Sequence, residues 1–405
     1  MPRLLIVTTV PVSIPFFLPY ADHFRRAGWR VDALTGTLEG FGWRDRFDAV
    51  HAVEWSRDPL ALGQVIRSAR RVREIVEAGG YDLVHVHTPV ASFVTRFALR
   101  RRDPARGPRV IYTAHGFHFH PGGPPARNAV FLALEKLAAR WTDWLVVMNR
   151  EDEAAAGRWR FLPHHRIRRM PGIGVDLRHY APERVPEAAV RRARDQLGLG
   201  DDPAVLMVAE FVARKRHGDL LRAFAGFPRD GALARAHLLL AGEGPLLVRA
   251  RREAEALGLG GRVLFLGFRP DVPVLMRTVD VVVLPSAQEG LPRCVLEAMA
   301  LGVPVVGTRI RGTEELLEGG AGALVELGDV AGLSSAIQRL LLDRGAATEL
   351  ARRGRERAAQ YDERVVIRLH EQLYTEALAE GAPPAIASRK PRTNAFRRAS
   401  SRSRA

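Results

Sequence analysis

A single cysteine, Cys294, stands in 405 residues. No intramolecular disulfide can form, and a thiolate-built zinc or iron–sulfur centre is not expected. A reducing, cytoplasmic compartment is the expectation. Long apolar runs are missing as well: Leu4 to Val10 is seven residues and stops at Pro11, whereas a spanning helix needs roughly 20. Neither a transmembrane helix nor a signal peptide is expected. Lysine is scarce, with only Lys136, Lys215 and Lys390 among 61 basic residues, so a lysine kept at a strand end draws notice. Aromatics are 7% of the chain, few for the stacking platforms of a nucleic-acid binder. Acidic residues are in deficit, leaving a net charge of +16, which raises nucleic acid, an anionic membrane surface or a phosphorylated ligand as partners. The densest basic run, however, is the tail 389–405, which is Ser-, Arg- and Pro-rich without periodicity and is expected to be disordered. A basic nucleic-acid-binding protein is therefore kept only as an alternative from another class.

What is present is core material: 47% of residues are apolar, enough for more than one domain at roughly 150 residues each. Apolar β-branched runs at Leu4 to Thr9, Arg30 to Thr35, Asp82 to Thr88, Arg109 to Ala114 and Trp144 to Asn149 alternate with amphipathic helix-length stretches. Such runs indicate strands buried on both faces, hence a parallel sheet with crossover helices. The pattern restarts at Ala204 to Ala209, His237 to Gly242, Arg262 to Gly267, Val281 to Pro285, Pro304 to Thr308 and Ala323 to Glu326. Two doubly wound α/β domains follow, residues 1–172 and 187–361, joined by the Pro- and Gly-containing linker Pro171 to Pro186. After Asp329 the chain reads as helices, the last at about 362–380.

Ligands of open α/β sheets bind beyond the carboxyl ends of the strands. The richest such loop runs from Pro285 to Glu297. Pro292 suits a first helical turn, and the free amides of Gly290 to Arg293 and the helix dipole would face a phosphate. Glu289 and Glu297 stand at either end of this run, and a carboxylate can accept two sugar or ribose hydroxyls. The run EGLPRCVLEAMALGVPVVGT resembles the donor-site motif of retaining glycosyltransferases of family 4, and the resemblance extends over most of the chain. It implies a GT-B fold, two Rossmann-like domains facing a cleft, with the last long helix returning to the first. It also implies that Glu289 meets donor-sugar hydroxyls, that Gly290, Leu291 and Pro292 line the diphosphate, and that Glu297 holds the ribose. Lys215, just past a strand end, takes the place of the family's diphosphate-stabilising lysine. Glu210 stands where many relatives have an arginine, so Arg214 or Arg216 is left to supply the second cation. By the same resemblance, Gly242 borders the donor site, and backbone near Phe268 receives the base.

His115, His118 and His120 follow a strand end in the first half. With no carboxylate or cysteine beside them and no Asp-x-Asp motif in the chain, a metal site is not expected. The stretch is similar to the acceptor-side loop of capsule and exopolysaccharide members, which puts His115 near the reacting sugar carbon. Thr8 to Pro15 departs from the glycine pair of many relatives. Cys294 reads as packing, since no matched base accompanies it. The arginine clusters 67–73, 96–109 and 158–169 are solvated helix faces or, beside Phe16, Phe17 and Trp159, a surface for anionic lipid. The resemblance thus implies metal-free, retaining transfer from a UDP-sugar to a polyprenyl-diphosphate-linked or other glycan acceptor, in the cytoplasm and at the inner face of the cell membrane. A UDP-N-acetylglucosamine 2-epimerase of the same fold is the alternative within that class.

Overall fold

The computed structural model describes residues 1–37, 42–56, 61–103 and 105–380; the basic tail 389–405 lies outside the described residues. The first half holds strands β1 (Arg3–Val7), β2 (Arg30–Thr35), β3 (Ala49–Ala52), β4 (Leu83–His87), β5 (Arg109–Ala114), β6 (Trp144–Val147) and β7 (Ile167–Arg169). The second holds β8 (Ala204–Val208), β9 (His237–Ala241), β10 (Val263–Gly267), β11 (Val281–Leu284), β12 (Val305–Thr308) and β13 (Ala323–Val325). They form a seven-stranded sheet, β3-β2-β1-β4-β5-β6-β7, and a six-stranded one, β10-β9-β8-β11-β12-β13. Every pairing is parallel.

The doubly wound fold read from the sequence is the one observed. Its all-apolar strands serve two cores each: Leu5 and Val7 of β1 join one cluster with Val72 and Val84, while Leu4 and Ile6 join another with Phe24 and Trp144. That follows from the two-residue side-chain period of a strand covered on both faces. The edge strands β3 and β7 were not legible, because a half-solvated edge needs no apolar run: His51, Arg168 and Arg169 sit in them.

The helix Glu363–Ala379 begins at Asp362, whose carboxylate accepts the Arg364 N–H at 2.8 Å. Its Val366, Leu373, Tyr374 and Ala377 enter the core of the first half. The two segments that cross between the halves are tied together: Val175 N–H donates to Tyr361 O at 2.9 Å, and Glu363 N–H to Val175 O at 3.1 Å. Each sheet reverses its strand order once, between β1 and β4 and between β8 and β11. Loops at those two reversals face the cleft between the halves, as the rule for open α/β sheets requires.

Candidate active site

Lys215 and Glu289 come from the two loops that flank the β8/β11 reversal. Lys215 Nζ lies 2.5 Å from Glu289 Oε1, and Arg214 Nη1 lies 3.6 Å from Glu289 Oε2. Glu289 is 8% exposed and Lys215 12%, so the pair sits at the buried edge of the cleft. The loops are bound to each other, Ala287 N–H donating to Arg214 O at 2.7 Å. Of the two arginines offered for the second cation, Arg214 faces the site; Arg216 turns away to Asp219. Glu210 is exposed.

Helix Arg293–Ala300 starts one residue later than expected, with Pro292 extended as its N-cap. Glu297 lies one turn in, where Tyr180 Oη and Arg293 Nε both donate to its Oε1 at 2.9 Å. Leu291 packs on Gly172 of the crossing segment. Gly242 has φ +144°, and a Cβ there would overlap Ala209 O; close approach of two loops in the same half requires this glycine. Phe268 follows β10 and is 74% exposed.

Across the cleft, His115 lies at the end of β5 against Gly290, whose Cβ, were there one, would overlap the His115 carbonyl. His115 Nε2 is 3.1 Å from His87 Nδ1. Behind them, His85 contacts Tyr374 Oη at 2.6 Å and Thr113 Oγ1 at 2.7 Å. His118 and His120 go elsewhere: the first ring packs on Phe131, and the second bonds Pro121 O at 2.9 Å. Among the described residues no group of three or more His, Cys, Asp or Glu side chains is arranged to hold a metal ion. Burial pushes the Cys294 thiol up to about 12, so at neutral pH it is no thiolate nucleophile. Phe17 is buried against His87, and Arg96 is buried on Glu135 at 3.2 Å, so neither belongs to a lipid-facing surface.

Several contributors gave little sequence signal. Thr88, after β4, has φ +64°, an outlier for a β-branched residue of the sort that gathers at functional sites. Its Oγ1 accepts the Thr9 N–H at 2.9 Å. An open cavity of about 930 Å³ lies beyond β1, β2 and β3, walled by Thr9, Pro11, Glu54, Trp55, Gln64 and Arg67. Trp55 and the linked amide, carboxylate and guanidinium (Gln64 Nε2 to Glu54 Oε2 3.3 Å, Arg67 Nη2 to Gln64 Oε1 2.5 Å) suit a sugar ring and its hydroxyls. In the sequence none of Trp55, Glu54 and Gln64 stood out, and Arg67 did so only within the arginine cluster 67–73.

Burial holds the histidines of the cleft wall neutral. His115 and His370 are lowered to about 4, as is His217 in the other half, and His85 and His87 are lowered well below 6.5. As pH falls through about 6.5, the unfolded chain binds protons that the fold refuses. Stability is therefore complete above about pH 7 and is lost progressively as pH falls from about 6.5 toward 4. Thermal unfolding at pH 7.5 and 5.0 should show a clear drop in Tm; equal values would mean that these rings are charged or solvated in the fold.

Family models match both halves: one described as a glycosyl transferase 4-like domain over residues 15–172, and one for glycosyl transferases group 1 over 190–359. EpsD of Bacillus subtilis (strain 168), named as a glycosyltransferase, is 31% identical over 89% of this chain and 93% of its own length. The UDP-Gal:alpha-D-GlcNAc-diphosphoundecaprenol alpha-1,3-galactosyltransferase of Escherichia coli is 28% identical over 70% of this chain and 73% of its own. Among solved structures, HepE of Anabaena in complex with UDP and glucose superposes with a TM-score of 0.76 at 21% identity, over 93% of this chain and all of that one. WaaG, a glycosyltransferase involved in lipopolysaccharide biosynthesis, gives 0.73 at 17% over the same 93% and all of its own chain. The matched halves, the parallel sheets and the cleft between them agree: the chain belongs to glycosyltransferase family 4 and is a hexosyltransferase-type enzyme of GT-B fold.

Proposed function

We propose that the enzyme transfers a hexosyl unit from a UDP-sugar to a lipid-linked oligosaccharide, with retention at the anomeric carbon and without a metal ion. The observation that carries this reading is the convergence of Lys215 and Arg214 on Glu289, at 2.5 and 3.6 Å, opposite His115. In the free enzyme a carboxylate occupies two cations. A donor diphosphate brings denser negative charge and competes for them, which frees Glu289 for sugar hydroxyls. The bond between the anomeric carbon and the diphosphate oxygen breaks with its electron pair on the departing oxygen. The acceptor hydroxyl oxygen bonds to the same face, and its proton passes to the leaving phosphate oxygen. Lys215, Arg214 and the free amides of helix Arg293–Ala300 stabilise the charge that develops. Neutral His115 adds no positive charge and is suited to a hydrogen bond with the sugar.

The donor in the Escherichia coli relative's name, and the UDP and glucose of the HepE structure, support a UDP-sugar. Membrane contact has its own support. Val130, Leu134 and Leu137 project from one face of helix Pro125–Ala139 and are exposed, as is Trp159. Lys136 and Arg158 lie over the Trp159 ring at 4.5 and 5.5 Å. An apolar strip with basic neighbours fits an anionic bilayer surface, where a lipid-linked acceptor resides.

The test is a thermal-shift screen against UDP-, GDP-, ADP- and dTDP-sugars, with and without EDTA, followed by transfer to a polyprenyl-diphosphate acceptor in anionic and neutral vesicles. A UDP-sugar should raise Tm selectively, by mass action. Activity should survive EDTA, exceed in anionic vesicles that in neutral ones, and give a product of unchanged anomeric configuration by NMR. Loss in EDTA restored by a divalent ion, or inversion, would overturn the corresponding part.

A further inference from the structure

We propose that Arg311 is the positioning residue that latches the two halves together and, in the same contact, sets the donor loop. Arg311 lies in the loop after β12, and its side chain is 6% exposed. Its guanidinium uses three edges. Nη1 donates to Asp152 Oδ1 at 2.8 Å and Nη2 to Phe117 O at 2.9 Å, both in the first half; Nε donates to Glu289 O at 3.2 Å, in the second. The planar fork thus ties the acceptor-side loop after β5 to the residue that meets Lys215, a geometry that a lysine cannot reproduce.

Apart from Arg311, the partners that hold Asp152 belong to the first half. Its Oδ2 accepts Asn149 Nδ2 at 2.9 Å, its Oδ1 accepts the Phe117 N–H at 3.4 Å, and its own N–H donates to Asn149 Oδ1 at 2.8 Å. The acceptor is therefore in place before closure, and the second half delivers the cation. Asn149 Nδ2 also reaches Gly290 O at 3.2 Å, so the donor loop is gripped from both halves. Gly312, next to Arg311, has φ +77°, and a Cβ there would overlap Gly290 O. The surrounding pairs Arg150–Glu315 and Arg169–Glu315 have arginines 55% and 44% exposed, and pairs so solvated contribute little. Closure and donor-loop geometry thus meet at the buried Arg311 contact, flanked by the Asn149–Gly290 bond and by the Arg150 N–H donating to Glu315 Oε2 at 2.9 Å.

The proposal rests on the donor-site reading of the cleft, and the experiment separates the two. Full-length wild type, Arg311→Met, Arg311→Lys, Asp152→Asn and the Arg311→Met/Asp152→Asn double variant are compared. The readouts are the radius of gyration by small-angle X-ray scattering without nucleotide, UDP affinity by calorimetry, and kcat and acceptor KM. In Arg311→Met the radius should increase, kcat should fall by about tenfold or more with a raised acceptor KM, and UDP affinity should fall by less than kcat does, since on the donor-site reading the loop keeps its Lys215–Glu289 and Ala287–Arg214 contacts within the second half. Arg311→Lys should recover part of kcat, and the double variant should be no worse than the poorer single. Unchanged radius and kcat in Arg311→Met, or losses that add in the double variant, would overturn the latch. Should Arg311→Met fail to fold, Arg311→Lys and Asp152→Asn decide: wild-type kcat in both overturns it. A wild type that does not bind UDP while Arg311→Met still opens the molecule would support the latch and sink the donor reading.

Discussion

Lys215→Ala is expected to lower kcat by about 10²–10³-fold, the loss typical when one preorganised stabiliser of developing negative charge is removed. Lys215 lies 2.5 Å from Glu289, on a side chain only 12% exposed. It is also held by its backbone, its N–H donating to Val212 O at 3.0 Å. In the variant, Arg214 still lies 3.6 Å from Glu289 but is 45% exposed, so its charge is screened by water. UDP affinity should fall less than kcat, because the charge that Lys215 neutralises is greatest as the diphosphate departs. Lys215→Arg should recover little: a planar fork does not fit where a compact ammonium sits. Steady-state kinetics at saturating donor, with a melting curve to confirm the fold, gives the answer; near-normal kcat would remove Lys215 from the catalytic group.

Gly290→Ala is expected to reduce turnover by about 100-fold or more while leaving Tm within a few degrees of wild type. The added Cβ would overlap the His115 carbonyl oxygen and come within 2.6 Å of the carbonyl carbon and 3.1 Å of Gly116 N. These are backbone atoms, which cannot rotate aside, and they belong to the other half of the molecule. Parting the halves relieves the overlap, so both cores survive, but the donor loop and His115 no longer meet. Misplacement of reacting groups by about 1 Å is enough for about 10²-fold. Gly242→Ala supplies the contrast, since its Cβ would overlap Ala209 O within one half and its φ is +144°; it should lose stability instead. Normal turnover in Gly290→Ala, or a loss of Tm matching that of Gly242→Ala, would mean that the halves do not close on this contact.

The site was partly legible because its chemistry is local. Lys215 stood out as one of three lysines, and Glu289 and Glu297 share one loop and helix. Arg311 did not stand out: in a chain that uses arginine almost throughout, nothing local separates the guanidinium that closes the cleft from those that merely face water. The buried Phe17 and Arg96 misled for a related reason. An aromatic near arginines looks like a membrane face, yet Phe17 lies on His87 at 4.3 Å between ring centroids, and Arg96 lies 3.9 Å from the centre of the Tyr112 ring.

The sequence by itself determined the two parallel sheets, the helical end and the family, because strand burial on both faces and strand-end loop chemistry are written in neighbouring residues. Tertiary structure alone decided which arginine supports Lys215, why Gly242 and Gly290 must lack a side chain, that His115 is neutral, and that Arg311 joins the halves. Each of those depends on a contact between residues far apart in the chain, where steric overlap, desolvation and the pairing of buried charge exist only once both halves are folded and closed.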